Sequence, residues 1–108
     1  MIKTSVALFG ILIMLSGCVS QHSYEVNNNV LHIYLSEPDA QKVYFLSSLD
    51  QFERHEVFKN SRGLWEVTLP SNHELKYFFI VDGSIFLPSC DQRENDDFGS
   101  ENCIYIPE

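Results

Sequence analysis

The residues able to do chemistry in this chain are few and widely spaced. His22, His32, His55 and His73 stand apart, with no His-x-x-x-His pair to grip zinc from one helix face. His73-Glu74 is not followed by the second histidine of a metalloprotease helix. No Gly-x-Ser-x-Gly elbow raises a serine nucleophile, and no glycine-rich loop is placed to cradle phosphate. Glu53, Glu56, Glu66 and Glu74 fall on exposed strand faces or turns. A glycosidase pair needs a cleft between its two acids, and a domain of this size has little room for one. The run Asp91-Gln92-Arg93-Glu94-Asn95-Asp96-Asp97 clusters oxygens of the kind calcium takes. It lacks the loop spacing and the terminal glutamate, and reads as a solvated acidic loop. The expected chemistry is therefore recognition without catalysis, with no metal and no cofactor.

Three cysteines remain, and the first belongs to a leader. Lys3 is followed by an apolar run from Val6 to Leu15, interrupted by Gly10. About ten residues are too short to span a bilayer, which takes roughly 20. A charged start, a short apolar core and small residues after it describe a helical secretory signal peptide. Its end, Leu15-Ser16-Gly17-Cys18, resembles the lipobox of bacterial lipoproteins. The resemblance implies cleavage after Gly17 and lipidation of Cys18, with enough acyl chains for stable anchoring. An ordinary signal peptide with a chance cysteine, or a short N-terminal anchor, is the plainer alternative. Val19 follows the cysteine where an aspartate would favour inner-membrane retention, so the resemblance points to the outer membrane, facing the periplasm. In an exported chain the remaining pair, Cys90 and Cys103, reads as a disulfide. Free thiols or a metal pair fit less well, since neither cysteine sits in a Cys-x-x-Cys and no histidine lies near.

The chain has 108 residues and a mass of 12.5 kDa, enough for one domain. Fifteen acidic against seven basic residues give a net charge of -8, which excludes a basic stripe for nucleic acid. An aromatic content of 13% is too high for a disordered acidic tail.

The elements that must position any site read as strands. Ser20–Asn29 is polar and reads as a tether, so that 18–29 forms the lipidated linker and 30–108 the domain. Beyond it no segment holds a helical period, and short alternating runs appear instead. These are Val30–Leu35, Lys42–Leu46, His55–Lys59, Leu64–Leu69, Leu75–Val81, Ser84–Leu87 and Cys103–Ile106. Asp82-Gly83 is a two-residue hairpin signal between the fifth and sixth. About seven antiparallel strands predict an immunoglobulin-like β-sandwich. Its core is expected around Trp65, Val67, Leu69, Tyr77, Phe79 and Val81, with Leu31, Ile33 and Leu35 on one face of the first strand.

Three landmarks narrow the reading: Gly63-Leu64-Trp65-Glu66-Val67-Thr68-Leu69-Pro70, Tyr77-Phe78-Phe79-Ile80-Val81-Asp82-Gly83 and Asp97-Phe98-Gly99-Ser100-Glu101-Asn102. In order and spacing they resemble the glycogen-binding module of AMP-activated kinase β subunits, isoamylases and branching enzymes. That module is carbohydrate-binding module family 48, within the early-set immunoglobulin-like folds. Val43-Tyr44-Phe45-Leu46-Ser47-Ser48-Leu49-Asp50-Gln51-Phe52 fits the family's first segment with changes. The resemblance implies glucan binding by aromatic stacking and by hydrogen bonds to sugar hydroxyls. Carried over by position, the first stacking tryptophan falls on Phe52 and the second on Ile85. The lysine falls on Phe78, and the last-loop trio on Phe98, Ser100 and Asn102. A glucan site would thus use Phe52, Phe98, Ser100 and Asn102. Strand alternation also puts Phe78, Ile80 and Ile85 on one outer face near Phe52 and Phe98. An apolar patch of Phe52, Phe78, Ile85 and Phe98 would instead dock an envelope protein. In a third reading, loops and the tether cover this face and its role is structural.

Overall fold

A computed structural model of the chain describes residues 21–95 and 101–107. Cys18, the leader over 1–17, Phe98 and Ser100 lie outside the described residues. The described chain is all-β and antiparallel. In order the strands are β1 His22–Asn27, β2 Val30–Leu35, β3 Val43–Ser47, β4 His55–Lys59, β5 Trp65–Pro70, β6 Leu75–Val81, β7 Ser84–Phe86, β8 Arg93–Asn95 and β9 Glu101–Tyr105. One short 3₁₀ turn, Ser48–Asp50, follows β3.

Two expectations are corrected. The polar segment read as a tether contains β1, which pairs along its whole length with β2, from His22↔Leu35 to Asn27↔Val30. Asn28 and Asn29 take left-handed φ of 53° and 64° and close that hairpin. Asparagine tolerates this region, and a tight turn that follows the strand twist requires it. Among the described residues the strands also number nine, where about seven were expected. β8 forms inside the acidic run, where Arg93, Glu94 and Asn95 pair with Cys103, Asn102 and Glu101 of β9.

The sheet runs β1-β2-β5-β4-β3-β6-β9-β8, with β7 off this path on β6. β4 is the corner. Its first residues pair with β3 (Val57↔Val43, His55↔Phe45), and its last two pair with β5 (Phe58↔Glu66, Lys59↔Trp65). One strand thus hands the ladder from one half of the sheet to the other, and the whole curls into an open half-barrel.

The core fills the inner side. Leu31, Ile33 and Leu35 of β2 meet Trp65 of β5, Val43 and Phe45 of β3, Tyr77 and Phe79 of β6, and Cys103 and Tyr105 of β9. Val67, Leu69 and Val81 are half-buried against them. Each such side chain contributes roughly 1.5–3 kcal/mol when fully buried. The aromatic rings meet edge-on, Phe45 on Phe79 at 5.5 Å and Tyr77 on Phe79 at 6.2 Å. The Trp65 indole donates to the Glu37 carbonyl (3.0 Å), so its one polar atom is satisfied. The Cys90–Cys103 disulfide is formed, with its Cα atoms 5.9 Å apart.

Candidate functional site

The two outer faces of the curled sheet differ in chemistry. Over β2 and β5 the face is polar and internally bonded. His32 pairs with Glu66 (2.9 Å), the Asn60 amide donates to the same carboxylate (2.8 Å), and the Tyr34 hydroxyl donates to Glu25 (2.7 Å). Arg62 lies 5.0 Å from the centre of the Tyr34 ring. The Asn60 and His32 hydrogen bonds hold the Glu66 carboxyl below its ordinary range.

Over β3, β6 and β7 the outer face is apolar. The register pairs Leu46 with Phe78, Tyr44 with Ile80 and Ile80 with Ile85, so these five residues share one side. Leu46 and Ile80 are buried there, although they face away from the core. Phe78 is half-buried, and Ile85, beside the Asp82-Gly83 tip, is 72% exposed.

The segment after β3 is bent to cover this face. Ser47 caps the 3₁₀ turn, its hydroxyl accepting from the Leu49 amide (3.3 Å). Gln51 and Phe52 then take φ of 64° and 61°, and the Phe52 amide returns to the Ser47 carbonyl (2.8 Å). Left-handed backbone at a non-glycine residue costs roughly 1–2 kcal/mol, so two in succession stand only where contacts hold them. The contact is a stack: the Phe52 ring lies 5.9 Å from Phe78 with 23° between planes, and Phe52 is still 37% exposed. Arg54 follows, its guanidinium 5.7 Å from the centre of the Tyr44 ring.

Asp50 ties the same turn. It accepts from the Glu53 amide (3.3 Å) and pairs with His55 Nε2, and that hydrogen bond holds its carboxyl below the ordinary range. Asp50, Glu53 and His55 form the one His/carboxylate group among the described residues that could bring three ligand atoms together, all within 4.8 Å of one another. Asp50 is already engaged by the other two within the turn. A cavity of about 360 Å³ opens beside Asp50 and His55, between the start of β4 and the far half of β5, with Phe45, Leu49, Val67 and Leu69 in its walls.

The structure brings Phe52, Phe78 and Ile85 to one face. Asn102 lies in β9 with only 7% of its surface exposed. Lys76 is held by Glu94 (2.9 Å). Sequence reasoning missed Tyr44 and Arg54 on this face. Tyr44 was legible from its alternation with Phe45, whereas Arg54 depends on a turn with no regular period. It also missed the seam between β1 and β9, because β1 was not recognised as a strand.

No protein-family model matches the chain, and no curated protein matches it.

Proposed function

We propose that the chain is a non-catalytic lipoprotein of the cell envelope, anchored through Cys18 and facing the periplasm from the outer membrane. Its domain is an immunoglobulin-like sandwich resembling the glycogen-binding module, and its outer face around Phe52, Phe78 and Ile85 docks a partner protein. The anchor rests on Leu15-Ser16-Gly17-Cys18, and the disulfide suits an exported chain. The fold reading is supported by strand order. β1-β2-β5-β4 and β3-β6-β9 follow the ABED and CFG order of that fold, and β4 bridges the two halves.

The observation that carries the docking reading is the half-exposed Phe52–Phe78 stack beside an exposed Ile85. Aromatic residues, phenylalanine among them, are enriched at the cores of protein contacts. A sugar platform would need donors and acceptors around the ring. Of the polar residues carried over from the module, Asn102 is nearly buried, and Lys76, one residue before Tyr77, is ion-paired to Glu94.

The test uses the full chain in detergent micelles on glycogen, starch and β-cyclodextrin. In parallel, a photo-crosslinker replaces Ile85 in the cell envelope. We expect no retention on any glucan, and one discrete adduct that Phe52→Ser abolishes. Retention on an α-glucan that is lost in Phe52→Ala and in Asn102→Ala would replace the docking reading with the glucan one.

A further inference from the structure

Among the described residues the curled sheet does not close. β1 has β2 as its one strand partner among the described residues, and its other edge faces a groove beside β9. Two cavities of about 470 and 590 Å³ lie along this seam and share Tyr24 and Ile106 as walls.

The backbone at this edge is oriented by the hairpin. Across a two-residue turn the flanking residues exchange hydrogen bonds, and the pairs then alternate between bonded and unbonded. Asn27 flanks the turn, so Asn27, Glu25 and Ser23 direct their N–H and C=O groups to β2. The Ser36 amide donating to the Gln21 carbonyl (2.8 Å) continues the same phase. Tyr24 and Val26 therefore turn their amides and carbonyls into the seam, where no described backbone group receives them.

Their side chains point inward. Tyr24 is paired with Ile33 and Val26 with Leu31, both core residues. Yet Tyr24 is 54% exposed and Val26 49%, so the inner side is left open at this edge. Tyr24 touches Tyr105 edge-on at 5.5 Å and closes only part of the gap. Exposed ladder groups and exposed core-facing side chains at the same two residues describe the place of one missing strand. A strand satisfies both at once, because it offers its own ladder along one edge and alternate side chains to one face. The charge of the occupant follows from the lining. Asp91 stands in the seam, no lysine or arginine lines either cavity, and the chain carries -8 overall.

We infer that the β1–β9 seam accepts an extended segment of a partner protein by strand addition, with apolar residues directed inward and lysine or arginine at the positions between. This goes beyond the outer-face reading and does not depend on it, since Phe52, Phe78 and Ile85 are not among the residues lining either cavity.

The probe is a seven-residue peptide alternating valine with lysine, titrated against the full chain in detergent micelles. Its competitor carries N-methyl groups on alternate amides. Hydrogen exchange is read at Tyr24 and Val26. We expect binding that protects both amides and weakens about tenfold or more on N-methylation, the loss of one or two net hydrogen bonds. Val26→Pro removes a seam-facing N–H and leaves the β2 ladder intact, a position where an edge strand tolerates proline. It should abolish binding. Val26→Lys, which puts a like charge under the peptide, should do the same without a backbone change. Ile85→Ser should leave the affinity unchanged. Equal binding of the N-methylated peptide, protection at Phe78 instead of Tyr24, or no binding would overturn the inference. So would concentration-dependent protection of Tyr24 and Val26 without peptide, which would mark the seam as an interface between two copies of this chain.

Discussion

His22 is the residue whose chemistry is most tightly prescribed by its neighbours. Nδ1 lies 3.2 Å from the Ser89 carbonyl, which can only accept, so Nδ1 carries the hydrogen and donates. In the neutral ring that burial favours, Nε2, at 2.8 Å from the Tyr77 hydroxyl, is the acceptor. The Tyr77 hydroxyl stays protonated, its pKa raised by burial. The site is thus built for neutral imidazole. Burial lowers the His22 pKa below 6.5, against smaller raising effects from the Ser89 carbonyl and Asp91. With the folded pKa below the unfolded one, the unfolded chain binds the proton more readily between the two values. The His22 contribution to stability is complete above about pH 6.5 and declines as pH falls below it. We predict that the denaturation midpoint of the wild-type chain drops more than that of His22→Gln between about pH 7.5 and about pH 5. The two proteins differ at position 22 alone, so the difference between their curves reports on that residue. Parallel curves across that range would contradict the assignment.

At the scale of elements, the Asp82-Gly83 hairpin shows how a short motif sets more than its own turn. Asp82 and Gly83 take φ of 49° and 85° between β6 and β7. The Asp82 carboxylate also accepts from the amides of Gln41 and Lys42, both at 2.8 Å, just ahead of β3. One side chain therefore aligns β3 beside β6 while its backbone starts β7. Asp82→Ala should cost about 1–3 kcal/mol, since two backbone donors lose a charged acceptor. Gly83→Ala should cost roughly 1–2 kcal/mol from backbone strain alone, because an added Cβ meets nothing within 4 Å. Urea denaturation of the two variants checks both figures. The motif was legible in the sequence because Asp-Gly between alternating apolar runs has one ready conformation. β2, β5 and β6 were legible for a related reason, since Leu31, Ile33, Leu35 and Trp65, Val67, Leu69 alternate in step with the pleat. β1 was not, because its inward residues are His22, Tyr24 and Val26 at an unclosed edge, and their polarity and exposure resemble a linker. Phe52 could be placed by family position, yet its stack on Phe78 depends on two left-handed residues, Gln51 and Phe52, that carry no glycine to announce them.

At the scale of the molecule, the disulfide holds one wall of an open half-barrel. Cys90 lies in the stretch between β7 and β8 and lines the seam, while Cys103 is fully buried in β9. The bond therefore fixes Ser89–Gln92 against β9, opposite β1, and supports the Ser89 carbonyl that His22 uses. Closing a loop with a sequence separation of 13 is worth roughly 3 kcal/mol in chain entropy. Cys90→Ala leaves the buried Cys103 sulfur in place, so it removes the cross-link with little loss of packing. It should lower stability by about that amount. The double variant Cys90→Ala/Cys103→Ala should lose more, through the small cavity left in the core. Hydrogen exchange separates the local consequence from the global one. The β8 ladder and the Ile104 amide, which donates to the Gln92 carbonyl (3.0 Å), should lose protection first. The β3–β6 ladder under Phe52 and Phe78 should lose protection only to the extent that global stability falls. Uniform loss in Cys90→Ala would mean that the bond governs the whole sheet equally. Loss confined to the seam wall would mean that reduction opens the β1–β9 groove while the outer face keeps its shape, making the two surfaces separately controllable.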